Sequence, residues 1–291
     1  MVALEFTTDA TRFLAAAGDH LAADPVLNTV VTANAHKART LPVGGPPFWW
    51  LTVRSADGRV VGAGMRTSPT APYPLYLLPM PDEAAVSLAR ALHDRGEETL
   101  AVNGALPASA LCAAELARLT GGRSEVHVHT RLHELRSLVR PAPSPGRLAA
   151  ATPDDLDLIS AWVTAFMADA DEQAGRPRGS GTHTPPDRPE LRRRIDAGLL
   201  WCWLDPSGRP VSLVGATPPS FGVARIAPVY TPPDERGHGY ASNAVAGVSH
   251  LLRSAGHRVC LFTDQANPTS NKIYAALGYH PVVDMANFAI L

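Results

Sequence analysis

The chain of 291 residues has little cysteine, almost no lysine and almost no net charge. Its three cysteines, Cys112, Cys202 and Cys260, are an odd and sparse set. Cys202 in L-W-C-W-L and Cys260 in V-C-L-F occupy apolar, strand-like runs, where a buried thiol is the ordinary reading and a redox or nucleophilic role is its rival. Lys37 and Lys272 are the only lysines, so a catalytic lysine has few candidates. Lys plus Arg number 26 against 27 Asp plus Glu, a formal charge of -1. Nothing global therefore attracts nucleic acid or an anionic membrane, and any phosphate site must be local. No apolar run approaches transmembrane length, and Glu5, Asp9, Arg12 and Asp19 exclude a secretory apolar core in the first twenty residues. The expectation is a cytoplasmic protein, a monomer or homodimer. With 45% apolar and 18% charged residues, it reads as one large domain or two of ordinary size.

What is present is a repeated pattern. Val2 to Phe6 reads as a strand, Thr7 to Asp9 as caps, and Phe13, Leu14 and Leu21 mark a helix, with Pro25 and the Pro42 to Pro47 stretch interrupting any further one. Phe48 to Val53 and Val60 to Met65 flank Asp57-Gly58 as a hairpin. Leu75 to Leu78, a helix over Asp82 to Arg95, a strand over Thr99 to Val102, a helix over Ser109 to Leu119 and a strand over Glu125 to Leu132 follow. R-P-A-P-S-P-G-R at Arg140 to Arg147 reads as a linker or crossing segment. After it come a strand over Arg147 to Ala151, a helix entered through Thr152-Pro153-Asp154-Asp155, a hairpin over Leu200 to Leu204 and Val211 to Ala216, and the remaining strands and helices. The same order occurs twice, which implies two copies of one α/β unit: residues 1–139, a linker over 140–146, and residues 147–291.

Chemistry concentrates in R-I-A-P-V-Y-T-P-P-D-E-R-G-H-G-Y-A, Arg225 to Ala241. An apolar strand runs into a Gly-rich turn that opens a helix, so the turn's unpaired N–H groups and the positive end of the helix dipole face an anion. The backbone N–H groups of Arg236, Gly237, His238, Gly239, Tyr240 and Ala241 are the candidate phosphate cradle, with Ser242 a further candidate contact. At the matching place the first copy reads L-P-M-P-D-E-A-A, without a glycine, and is expected to keep the fold without the site. A Rossmann dinucleotide fingerprint is the rival, with Asp264 where a ribose-binding acid would stand, although Ser242 occupies the third glycine position and a Pro-Pro loop separates strand from turn.

V-Y-T-P-P-D-E-R-G-H-G-Y-A-S resembles the acetyl-CoA-binding motif of GNAT-type N-acetyltransferases, with Arg236, Gly239 and Ala241 at the family's marked places. Leu261 to Tyr279 resembles the strand and helix that follow it there. The likeness is specific over 147–291, while residues 1–139 resemble the fold only, as in tandem members with one degenerate copy. It implies a mixed α/β fold of two tandem GNAT-like acyltransferase domains and an enzyme that moves acetyl from acetyl-CoA to a small-molecule or peptide amine. It also implies a pantetheine arm between the strands ending at Val229 and Thr263, with a backbone N–H near Val229 or Tyr230 on the thioester oxygen. Asn267, Asn271 and Tyr274 share one helical face by their spacing. The resemblance makes the two amides cofactor contacts and Tyr274 the proton donor to the leaving thiolate. The other readings are an N-cap before Pro268 for Asn267, a packed aromatic for Tyr274 and a loop-shaping role for Arg236. An acyl-CoA-sensing module without catalysis is the alternative of a different class.

Asp169, Asp171 and Glu172 either hold a cationic amine or form a solvated helix end. Gly175 to Pro189 is either a lid over the acceptor or disordered. His127 and His129 share a strand face and His133 follows, but no cysteine or carboxylate cluster completes a ligand set, so no metal is expected. Trp49, Trp50, Trp201 and Trp203 occupy corresponding strands and are expected to pack the core.

Overall fold

The computed structural model describes residues 2–39, 48–68, 71–179 and 186–291. The chain divides into two compact units, one of Met1–Leu132 with Val282–Leu291, the other of His133–Pro281. The expected Pro42 to Pro47 break lies outside the described residues, as do residues 180–185 of the expected lid.

The first unit runs β1 (Ala3–Thr7), α1 (Ala10–Ala23), α2 (Thr29–Ala38), β2 (Trp49–Arg54), β3 (Val60–Arg66), β4 (Leu75–Leu77), α3 (Asp82–Asp94), β5 (Ala101–Ala105), α4 (Ala108–Thr120) and β6 (Ser124–Leu135). The second succession runs β7 (Arg147–Ala150), α5 (Leu156–Gln173), α6 (Arg188–Asp196), β8 (Leu200–Leu204), β9 (Pro210–Ala216), β10 (Val223–Tyr230), α7 (Tyr240–Ser254), β11 (Arg258–Asp264), α8 (Pro268–Ala276) and β12 (Tyr279–Ile290), whose residues from Val282 on lie in the first unit. The succession of element types is the same in both. Each unit has a mixed sheet: β1 to β4 pair antiparallel and β4 pairs parallel with β5, while β7 to β10 pair antiparallel and β10 pairs parallel with β11. No helix among the described residues is long and apolar enough to cross a membrane.

Two helices depart from the sequence expectation. Pro25 stops α1 but does not prevent α2, because the chain restarts at Asn28 after a short turn. Pro189 lies in the first turn of α6, where its missing N–H costs no helical bond, and Asp187 caps that turn by accepting from the N–H of Glu190 at 2.8 Å. The end of the segment expected to be a lid or disordered is thus the start of a helix.

The C-terminal strand also belongs elsewhere than its sequence position suggests. Residues 285–289 of β12 pair antiparallel with β5 in the first unit, Met285 opposite Ala105 and Ala289 opposite Ala101. Ala286, Phe288 and Ile290 are buried there with Leu88, Val102 and Leu116. Trp49, Trp50 and Trp203 are buried, and the Trp203 indole donates to the carbonyl of Pro145 at 3.0 Å. The three cysteines are buried and free, with burial pushing the Cys112 and Cys202 thiols up to about 12.

Candidate active site

The site in the second unit starts from a separation of strands. β10 and β11 are paired only at Val223 to Arg225, opposite Arg258 to Cys260, and both continue, β10 to Tyr230 and β11 to Asp264. β10 has a register shift against β9 between Ile226 and Val229, which bends the strand as an extra residue does. Pro228 in that stretch has no N–H to give to a neighbouring strand.

Beyond β10 a short turn of 3-10 helix, Pro233–Glu235, leads into the glycines. Gly237 and Gly239 have φ of +83 and +76, a left-handed backbone that a side chain would strain. A Cβ on Gly237 meets open space, and one on Gly239 would lie 2.7 Å from Ser144 Oγ. Gly239 is the N-cap of α7 and supplies no side-chain cap, so the first N–H groups of the helix lack an intrahelical partner. No acidic residue stands in that first turn. These features suit a diphosphate. The matching helix of the first unit, α3, begins after Pro81 with Asp82 and Glu83 in its first turn, charges that repel an anion at a helix N-terminus.

The residues read as a linker are tied to this turn. Ser144 Oγ donates to the carbonyl of His238 at 2.7 Å, and Asn243 Nδ2 donates to the carbonyl of Ala142 at 3.0 Å and to Ser144 Oγ at 2.9 Å.

A cleft of about 410 Å³ collects the expected residues Val229, Tyr230, Arg236, Gly237, Gly239, Tyr240, Ala241, Ser242, Asn267 and Tyr274. His238 and Asn271 are not on its wall. The His238 ring stacks on Tyr240, centroids 5.4 Å apart, and Asn271 Nδ2 donates to the carbonyls of Asp264 and Gln265 at 3.1 and 3.2 Å. Asn267 caps α8, its Oδ1 accepting from the Ser270 N–H at 3.0 Å, and its Nδ2 donates to Gln173 Oε1 at 3.0 Å. Tyr274 is buried against Tyr279, ring centroids 5.9 Å apart, and burial raises its pKa. Its phenol therefore holds its proton at neutral pH.

The cleft also contains a feature beyond the expected set. Asp169 and Asp171 are buried, unlike the solvated helix end that was one reading of them, while Glu172 is exposed. Asp169 Oδ2 accepts from Arg236 Nη2 at 2.6 Å and from the Tyr230 hydroxyl at 3.2 Å, and Arg178 Nη2 lies 2.8 Å from its Oδ1. Burial, with the Asp169 charge second, raises the Tyr230 pKa. Arg236 also donates from Nε to the carbonyl of Thr231 at 3.0 Å, so it shapes the loop while facing the cleft. Phe166, Asp169 and Gln173 are spaced three and four apart on α5 and share the face that lines the cleft; that spacing was the available signal.

The histidines do not gather. His127 and His129 are exposed, and His133 Nε2 lies 3.2 Å from Thr263 Oγ1.

Residues 164–279 match the model of the acetyltransferase (GNAT) family. None of the curated proteins matches the chain. Among solved structures, an acetyltransferase of the GNAT family from Colwellia psychrerythraea superposes with a TM-score of 0.55 at 13% identity, covering 99% of this chain and 100% of its own. A GCN5-related N-acetyltransferase from Sphaerobacter thermophilus gives 0.59 at 15%, covering 99% and 94%. A tandem GNAT protein of the clavulanic acid biosynthesis pathway gives 0.57 at 15%, covering 99% and 98%. The mixed α/β fold is that of GNAT acetyltransferases over nearly the whole chain. The turn, the cleft and Tyr274 all lie within the residues that match the acetyltransferase (GNAT) family model.

Proposed function

We propose that the second unit transfers an acetyl group from acetyl-CoA to a small-molecule or peptide amine in the cytoplasm, and that the first unit is a copy that does not bind coenzyme A. One observation carries this reading: a single cleft is lined by the uncapped start of α7, the end of β10 and Tyr274. The N–H groups of Gly237 to Ser242 would hold the diphosphate, with Arg236 adding charge and Asn267 a polar contact. The gap beyond Arg225 would take the pantetheine arm. An amine attacks the thioester carbonyl, a backbone N–H near Val229 or Tyr230 holds the carbonyl oxygen, the C–S bond breaks as C–N forms, and the amine gives up one proton to solvent. Tyr274 gives its proton to the departing sulfur and takes one back from solvent to complete the cycle. The buried thiols, kept protonated by burial, have no part in this direct transfer.

Ligand-dependent thermal unfolding tests the reading. Acetyl-CoA at a hundred times its Kd should add about 2.7 kcal/mol of stability, and Gly239→Glu, which sets a carboxylate in the anion cradle, should abolish the shift. Stabilisation by NAD and none by acetyl-CoA would overturn it.

A further inference from the structure

Ala224 and Ile226 of β10 are buried in the cluster that contains Val245 and Val248 of α7. Arg225, between them, projects to the opposite face of the sheet, because successive strand residues alternate. It is also the last residue of β10 paired with β11, so it stands at the closed end of the gap between the two strands. On the acetyl-transfer reading the pantetheine arm lies in that gap, and Arg225 stands at its closed end.

Among the described residues the Arg225 side chain has no ion-pair partner. Its Nη1 is buried without a hydrogen-bond partner among the described residues, and no carboxylate of the described residues forms an ion pair with it. Residues outside the described set include no Asp or Glu. The nearest compensation is the Phe262 ring, 6.0 Å from the guanidinium carbon, at the outer limit of a cation–π contact. A second guanidinium approaches from α6. Arg194 Nη2 donates to the carbonyls of Ala227 at 2.7 Å and Ala216 at 3.3 Å. Burial pulls the Arg194 pKa down, attraction to Glu190 offsets part of that, and a smaller repulsion by Arg225 adds to it. A buried guanidinium nitrogen without a partner, as at Arg225 Nη1, costs stability unless an anion meets it. A guanidinium fork matches carboxylate and phosphate in geometry as well as charge.

We propose that the acceptor amine carries an anionic group, a carboxylate or a phosphate, and that Arg225 binds it on the sheet face opposite α7, with Arg194 adding to the field. The inference rests on the acetyl-transfer reading and narrows it to amino-acid-like or amino-phosphate-like acceptors. Arg225 then sets acceptor specificity, and α7 with its turn sets the cofactor.

The test uses the full chain saturated with acetyl-CoA and titrated calorimetrically with glycine, aminomethylphosphonate and glycinamide, which lacks the anionic group. Thiol release is followed in parallel. At least one anionic amine should bind about tenfold or more tighter than glycinamide, the effect of one hydrogen-bonded charge pair, and which of the two does so distinguishes carboxylate from phosphate. Arg225→Gln should remove that preference while leaving acetyl-CoA affinity unchanged, and Arg225→Lys should restore part of it. Equal or unmeasurable binding of all three amines, or a preference that survives in Arg225→Gln, would overturn the proposal. A wild-type chain that does not bind acetyl-CoA at all would instead overturn the acetyl-transfer reading.

Discussion

Arg236, on the glycine turn, places Nη2 2.6 Å from the buried carboxylate of Asp169, on α5. The pair ties the helix that walls the cleft to the loop that would hold diphosphate. Arg236 is partly exposed, its side chain 38% accessible, so solvent screens much of the attraction. A double-mutant cycle of Asp169→Asn and Arg236→Gln, followed by urea unfolding, should give a coupling energy of about 1 kcal/mol. Additive effects would mean that the two residues stabilise the chain independently.

Tyr274 has a raised pKa because it is buried, and it lines the cleft. A phenol that remains protonated can serve as an acid. Tyr274→Phe keeps the ring and its packing on Tyr279 and removes only the hydroxyl. Turnover should fall by about a hundredfold or more, the typical size of an acid–base contribution, with acetyl-CoA affinity within about twofold of wild type on the same grounds of retained packing. Unchanged turnover would take Tyr274 out of the chemistry.

What the sequence made legible was local. A turn whose glycines adopt positive φ announces itself, because few other residues tolerate that backbone. The spacing of Asn267 and Tyr274 placed both residues on the cleft side of α8. Asn271 has the same spacing, and its amide turns to the carbonyls of Asp264 and Gln265, a local competition that a helical wheel ignores. Asp169 was ambiguous for a different reason. Its burial depends on Arg236, 67 positions away, and on Tyr230 and Arg178, none of which is a neighbour in sequence. The destination of β12 was illegible on the same principle, since a strand's pattern states which face is apolar and not which strand will pair with it.

Phe288 tests that destination. It lies on β12 opposite Val102 of β5 and is buried with the core of the first unit. Phe288→Ala should destabilise the chain by about 3 kcal/mol. Hydrogen exchange should rise at β4, β5 and α4 of the first unit, with smaller changes around the cleft in the second. Increased exchange confined to α7 and α8 would show that the strand supports the second unit instead.

The buried thiols set an alkaline limit. Cys112 and Cys202 are raised from 9.0 to about 12 by burial, so between these pH values the folded chain keeps two protons that the unfolded chain releases. Because the unfolded state binds fewer protons there, stability must fall as pH rises. Below pH 9 both states hold the protons and the slope vanishes. The expected loss is about 1.4 kcal/mol per pH unit for each thiol, on the steep part of that range. Cys112→Ala with Cys202→Ala should flatten the slope of unfolding free energy between pH 9.5 and 10.5 by about 2 to 3 kcal/mol per unit. The rises at Tyr230, Tyr274 and Tyr279 begin from 10.0 and leave a residual decline at higher pH. A slope the same in the double variant as in wild type would mean that the two thiols do not set the alkaline limit.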